Sequence, residues 1–229
     1  MEETELKKRM ILSSIPMRLL NCSNLPEEYA SGTIVEYLGR NFFLTVTHVV
    51  EDLGNWAFEY RLASNHNGMI LQPVGRMSFL ICGGSPLTEI DFAYIEIDPE
   101  LQPYYPIFDG NYNIIGEIPR IINNIDQDIK ISKDKKYGFA SITCHELAGS
   151  RLQCNQLIVF PLEYLTEEDD YLVFTFQPRD KEEFFYKAAS GAAILDSEGN
   201  VVALVSGGKL EENLVYGVSL EKYKSLLVS

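Results

Sequence analysis

The segment Phe185-Tyr186-Lys187-Ala188-Ala189-Ser190-Gly191-Ala192-Ala193-Ile194-Leu195-Asp196 sets a run of small residues directly before an apolar strand. A serine on such a turn exposes its hydroxyl. The backbone N–H groups of its neighbours can converge on one point, which is what an acyl-transfer oxyanion requires. A nucleophile of this kind also needs a base and an acid to orient that base.

Two upstream stretches supply the residue types. Thr45-Val46-Thr47-His48-Val49-Val50 ends a β-branched run in a histidine. Glu89-Ile90-Asp91-Phe92-Ala93-Tyr94-Ile95 opens another run with an aspartate. The order along the chain is His48, Asp91, Ser190, and order matters because unrelated folds reach the same three residues in different orders.

The 229 residues suffice for one large β unit or two small lobes with a sizeable core. A hydrophobic content of 46% fits a folded globular protein. Nineteen basic against 33 acidic residues leave a net charge of −14, which argues against a nucleic-acid partner. The N-terminal apolar stretch is broken by Ser13, Ser14, Pro16 and Arg18, unlike a secretory signal, and no run is long enough to span a bilayer. A cytoplasmic protein without membrane association is expected. Cys22, Cys82, Cys144 and Cys154 are scattered, so free and mostly buried thiols are expected rather than disulfides.

Residues 1–14 read as a charged lead-in with one helical turn. From Ile15 onward, short segments rich in β-branched and aromatic residues alternate with turn residues. Strands are predicted at 17–20, 33–38, 41–46, 56–62, 69–73, 77–82 and 92–97, and again at 114–118, 137–144, 152–162, 172–176, 192–195, 201–205 and 214–218. Many short strands at this spacing indicate barrels or a sandwich. The Pro-containing stretch 99–116 reads as the connection between halves, giving a lead-in at 1–14 and lobes at 15–110 and 111–229. The polar turn 196–200 joins two apolar runs as a hairpin, and 219–227 carries apolar positions at helical spacing behind Ser219 as cap.

Together these residues resemble the trypsin/chymotrypsin-like serine peptidases in their compact bacterial intracellular form. Thr47-His48 looks like the family's histidine box, Asp91-Phe92-Ala93 its aspartate box and Ser190-Gly191-Ala192-Ala193 its nucleophile box. Val205-Ser206-Gly207-Gly208 is similar to the segment that pairs with substrate backbone, and Val215-Tyr216-Gly217-Val218 to the strand before the C-terminal helix. The resemblance covers roughly residues 15–229. It implies an all-β fold of two six-stranded antiparallel β-barrels with a short C-terminal helix. The site would lie between the barrels, with His48 and Asp91 from the first and Ser190 from the second. It further implies a serine endopeptidase acting on protein or peptide substrates, with His48, Asp91 and Ser190 as catalytic residues and an oxyanion hole from the N–H groups of Ala188 and Ser190. Ser206, Gly207 and Gly208 would bind substrate backbone, and no cofactor or metal is implied.

The chain departs from the family at three places. Ala188 stands where glycine is usual. Positive φ costs alanine about 1 kcal/mol, against about 3–4 kcal/mol for a lost oxyanion donor, so a fold that holds the turn can keep the hole. Ala189 stands where secreted members bind a new N-terminus with aspartate, and no cysteine flanks His48. By the family's spacing the base of the primary pocket falls near Phe184. An apolar base disfavours Arg and Lys, whereas a shift to Glu182 or Glu183 reverses that preference.

Other residues have plainer readings. His66 lies in a polar loop and reads as a surface residue. The spacing of Cys144, His145 and Cys154 matches no common zinc pattern, and a thiol at Cys144 cannot use His145 because adjacent strand residues face opposite ways. An alternative to the peptidase is an inactive fold of the same kind binding a protein partner, motivated by Ala188 and Ala192; another is an esterase. A peptidase inside a cell must be restrained, which points to a regulatory protein partner or a resting state with a misformed oxyanion hole.

Overall fold

The computed structural model of the chain describes residues 1–52, 54–64, 68–82, 88–111, 113–148, 151–177 and 188–229, with 80–82, 88–89, 143–148, 151–155 and 210 in backbone alone. Helix α1 (Glu3–Ser13) precedes strands β1 (Ile15–Leu20), β2 (Pro26–Tyr37) and β3 (Arg40–Thr45). A helical turn, α2 (Thr47–Val50), leads to β4 (Trp56–Leu62), β5 (Met69–Pro73), β6 (Ser78–Cys82) and β7 (Thr88–Ile97). These strands form an antiparallel ladder in the order β5-β4-β1-β2-β3-β7-β6. A separate hairpin of β8 (Tyr104–Phe108) and β9 (Ile114–Pro119) has Gly110 in its connection, and β10 (Asn123–Asn124) runs parallel to β2.

The second half contains β11 (Lys136–Ala148), β12 (Arg151–Glu168), β13 (Tyr171–Phe176), β14 (Ala193–Asp196), β15 (Val201–Lys209) and β16 (Leu214–Ser219). They close into a barrel, β11-β12-β13-β16-β15-β14. Helix α3 (Leu220–Tyr223) and a 3₁₀ stretch over Lys224–Val228 follow. Ser219 stands directly before α3 without a side-chain capping bond. The hairpin expected at 196–200 joins β14 to β15, and the buried Asp196 carboxylate pins it by accepting from the Glu198 and Asn200 N–H groups at 2.9 Å each.

The expectation of two six-stranded barrels is thus met by the second half alone. Among the described residues the first ladder does not close. The Val74 N–H still donates to the Trp56 carbonyl, at 3.0 Å, which carries the chain along β4. Strand β6 then joins β7, leaving β5 and β6 as the two ends.

Three apolar clusters hold the molecule. One lies inside the barrel around Tyr137, Phe139, Phe174 and Ile194. One lies on the first sheet, where the Phe43 and Phe58 rings stack at 4.7 Å. The third joins the halves: Val35, Phe42, Leu44 and Phe92 from the first meet Ala140, Leu195, Leu204 and Tyr223 from the second.

Leu6 and Met10 of α1 complete that third cluster. The lead-in is therefore an 11-residue helix rather than one turn. Leu6 and Met10 share a face at i, i+4 spacing, and the helix forms because tertiary burial of that face supplies what its short length and missing cap bond do not. Arg120 reaches the same helix, donating through Nη1 to the Ile11 carbonyl at 3.2 Å. Met10 is fully buried, so Met10→Ala is expected to lower the free energy of unfolding by about 2–5 kcal/mol. Urea unfolding checks this, and a loss under 1 kcal/mol would mean that α1 is not part of the core.

Of the cysteines, Cys22 is an exposed free thiol rather than a buried one, because it lies in the polar turn between β1 and β2. Cys144 and Cys154 pair across β11 and β12 in backbone register, and their side chains, with those of Cys82 and His145, lie outside the described residues. His66 lies outside them as well. Among the described residues no helix is long and apolar enough to cross a membrane.

Candidate active site

Strand β3 is buried on both faces from Asn41 to Thr45, and the chain leaves it through Val46 into α2. The Thr47 hydroxyl donates to the Ile90 carbonyl at 2.9 Å and ties that helical turn to β7. His48, next in the turn, is left half exposed at the molecular surface while its backbone stays anchored.

Asp91 emerges from an irregularity in β7. Phe79 pairs with Ala93 but Leu80 pairs with Ile90, so Asp91 and Phe92 bulge out of the ladder. Such a bulge re-aims a side chain that simple alternation would place elsewhere. The Asp91 carboxylate accepts the His48 backbone N–H at 3.1 Å and faces His48 Nδ1, with both oxygens at 3.0 Å. On the other side of the ring, His48 Nε2 lies 3.1 Å from Ser190 Oγ. The structure therefore brings His48, Asp91 and Ser190 into one hydrogen-bonded line across the two halves.

A second bulge completes the carboxylate's surroundings. In β15, Val205 pairs with Gly217 and Gly207 with Tyr216, leaving Ser206 unmatched between them. Its hydroxyl donates to Asp91 Oδ2. Ser206, expected as a backbone contact for substrate, thus has its side chain turned to Asp91. The contact coincides with the bulge, and no feature of Val205-Ser206-Gly207-Gly208 announces it.

The electrostatics follow from these contacts. The hydrogen bond to Asp91 raises the His48 pKa above its ordinary 6.5; partial burial opposes this, and the Asp91 and Glu51 charges reinforce it. For Asp91, burial pulls the carboxyl upward, but the hydrogen bonds from His48 and Ser206 and the His48 charge prevail, leaving it below its ordinary 3.8. Asp91 is ionised at neutral pH, and the imidazolium is stabilised relative to imidazole.

The Ser190 turn is held on several sides. The Ala189 carbonyl accepts the Ala192 N–H at 2.9 Å, closing the turn. Because a trans peptide points its C=O and N–H in opposite directions, the Ser190 N–H is directed away from that bond. The Gly191 N–H donates to the Val205 carbonyl at 2.7 Å. The Ala188 N–H belongs to the peptide shared with Lys187, and Lys187, Phe184, Glu182 and Glu183 lie outside the described residues.

Strand β14 covers β15 only as far as Leu204. Among the described residues, the edge of β15 from Ser206 to Lys209 opposite β16 has no strand partner, and Gly207 opens onto empty space. Tyr171 stands nearby, edge-on to Tyr216 with ring centres 6.4 Å apart.

The fold is that of the trypsin/chymotrypsin-like serine peptidases. No family model matches the chain, and no curated protein matches it by sequence. Among solved structures it is similar to the protease of tobacco vein mottling virus, at 10% identity and a TM-score of 0.54, over 97% of this chain and 84% of that one. It is also similar to a serine endoprotease from Yersinia pestis, at 13% identity and a TM-score of 0.50, over all of this chain and 66% of that one. Identities this low establish the architecture; what the site does must be argued from its own atoms.

Proposed function

We propose that the protein is a serine endopeptidase using His48, Asp91 and Ser190. The observation that carries the reading is the unbroken line Asp91–His48–Ser190, with 3.0 and 3.1 Å at its two joints. Ser190 Oγ attacks the scissile carbonyl carbon while His48 Nε2 takes its proton. The carbonyl oxygen becomes an oxyanion facing the N–H groups of Ser190 and Ala188. His48 passes the proton to the departing amine, leaving an acyl-enzyme, and water attacks that ester by the same steps with His48 again as base. Asp91 stays ionised, fixes the Nδ1–H tautomer and stabilises the imidazolium. A peptide substrate would add as a strand to the open edge at Ser206, Gly207 and Gly208. Both structural neighbours are described as proteases, which supports the same reading.

A fluorophosphonate probe tests the assembly of these three residues directly, and cleavage of a protein substrate by the unmodified protein separates a peptidase from an esterase. Wild type is expected to gain the mass of one phosphonyl group on Ser190 with loss of fluoride, and Ser190→Ala and His48→Ala to gain none. Labelling should accelerate as pH rises through an inflection above 6.5, because only neutral His48 accepts the proton. Stability runs the other way over that interval: a pKa raised by folding gives a contribution present below the unfolded value and lost as pH rises through the folded one. An unlabelled wild type would sink this reading in favour of an inactive fold that binds a protein partner, the alternative for which Ala188 in a glycine position speaks.

A further inference from the structure

Ser31 belongs to β2 in the first sheet, yet its polar groups are spent around the Ser190 turn of the barrel. Pairing of β2 with β3 begins only at Thr33, so the backbone of Ser31 on that side is free for other partners. Its N–H donates to the Ser190 carbonyl at 2.9 Å. Its hydroxyl donates to the Ala188 carbonyl at 2.7 Å, and its own carbonyl accepts the Thr45 hydroxyl at 2.8 Å. Ser31 has 0% of its surface exposed, and Ala188 has 3%.

The backbone contact could come from any residue except proline, but the hydroxyl contact could not. Holding the Ala188 carbonyl fixes one side of a residue whose other side carries the N–H proposed for the oxyanion. An L-residue has a short menu of φ/ψ combinations, so fixing the carbonyl direction restricts where that N–H points. The next peptide is already set by the bond from Ala192 to Ala189. We propose that Ser31 is a positioning residue for acyl transfer, its hydroxyl setting Ala188 so that the N–H groups of Ala188 and Ser190 face one oxyanion. This rests on the peptidase reading above.

The test compares Ser31→Ala with Thr33→Val. Thr33 is the next inward residue of the same strand, equally buried, and its hydroxyl donates to the Ser13 carbonyl at 2.8 Å, away from the turn. Both variants lose one buried hydrogen bond, so both thermal midpoints should fall. Only Ser31→Ala should also lose fluorophosphonate reactivity and kcat, by about ten- to a hundredfold, with KM nearly unchanged and the pH inflection of His48 unmoved. Ser31→Cys, close in size with a weakly donating S–H, should fall between wild type and Ser31→Ala, and it carries the comparison if the alanine variant does not fold. Equal labelling of wild type and Ser31→Ala would overturn the proposal, as would a loss shared equally by Thr33→Val. A shifted inflection would also overturn it, since Ser31 would then act through His48. A wild type that takes no probe would overturn the peptidase reading itself, a distinguishable result.

Discussion

Replacing Asp91 with asparagine is expected to lower kcat by about four orders of magnitude while leaving the protein folded. The carboxylate accepts three kinds of donor at once: the His48 backbone N–H, His48 Nδ1–H and the Ser206 hydroxyl. An asparagine side chain has one acceptor oxygen and one NH₂ group in the same outline. If the oxygen keeps the His48 backbone N–H, the amide nitrogen meets Nδ1 and donates to it. Nδ1 is then the acceptor, the ring proton moves to Nε2, and Nε2 can no longer take the Ser190 proton. The carboxylate hydrogen bond that raises the His48 pKa, and the charge that adds to it, also disappear, so the inflection in the labelling rate should fall relative to wild type. Steady-state kinetics and the pH profile of fluorophosphonate labelling measure both effects. A variant within tenfold of wild type would show that Asp91 does not orient His48 in the reaction.

Gly191→Ala is expected to cost about 3–5 kcal/mol of stability and to abolish probe labelling. Gly191 has φ +86, in the region that penalises any side chain. A Cβ there would overlap the Ser31 carbonyl oxygen and the Thr45 hydroxyl, neither of which can retreat: the carbonyl belongs to β2, and the hydroxyl is bonded to it. The turn must therefore move away from the first sheet, taking Ser190 from His48. Gly207→Ala is the control for stability, since among the described residues nothing lies within 4 Å of its added Cβ; unfolding free energies should differ from wild type by about 0.5 kcal/mol or less. Equal stabilities for the two variants would mean that the Gly191 turn is not clamped against β2.

His48, Asp91 and Ser190 were legible in the sequence because each stands at a visible change of pattern. His48 follows a β-branched run, Asp91 opens one, and Ser190 sits among small residues before one. The barrel strands were legible for the same reason, as short apolar segments between polar turns. What decides the finer geometry left no such trace. The bulges at Asp91 and Ser206 are slips of one or two residues against a neighbouring strand, and alternation within one strand does not report them. Ser31 lies in Tyr29-Ala30-Ser31-Gly32-Thr33, an unremarkable strand segment whose partner turn is 157 residues away. The full length of helix α1 is hard to read from the sequence because its apolar stripe is only two or three residues wide and is stabilised by the strands it covers. The open first ladder depends on which edges meet, a question that strand content alone does not address.

The docking of α1 and the Ser31 contact together constrain the order in which the molecule can assemble. Arg9 Nε donates to the Gly199 carbonyl across 190 residues, and His48 meets Ser190 across 142. Pairings this distant pay their loop-closure entropy before they return any stability, so folding should be slow for the chain's size. The first sheet holds His48 and Asp91 without Ser190, and the barrel holds Ser190 without Ser31, whose hydroxyl is bonded to the Ser190 turn. Neither half alone contains the full set of site residues, and competence should arrive in a single late step, when the two halves close over α1.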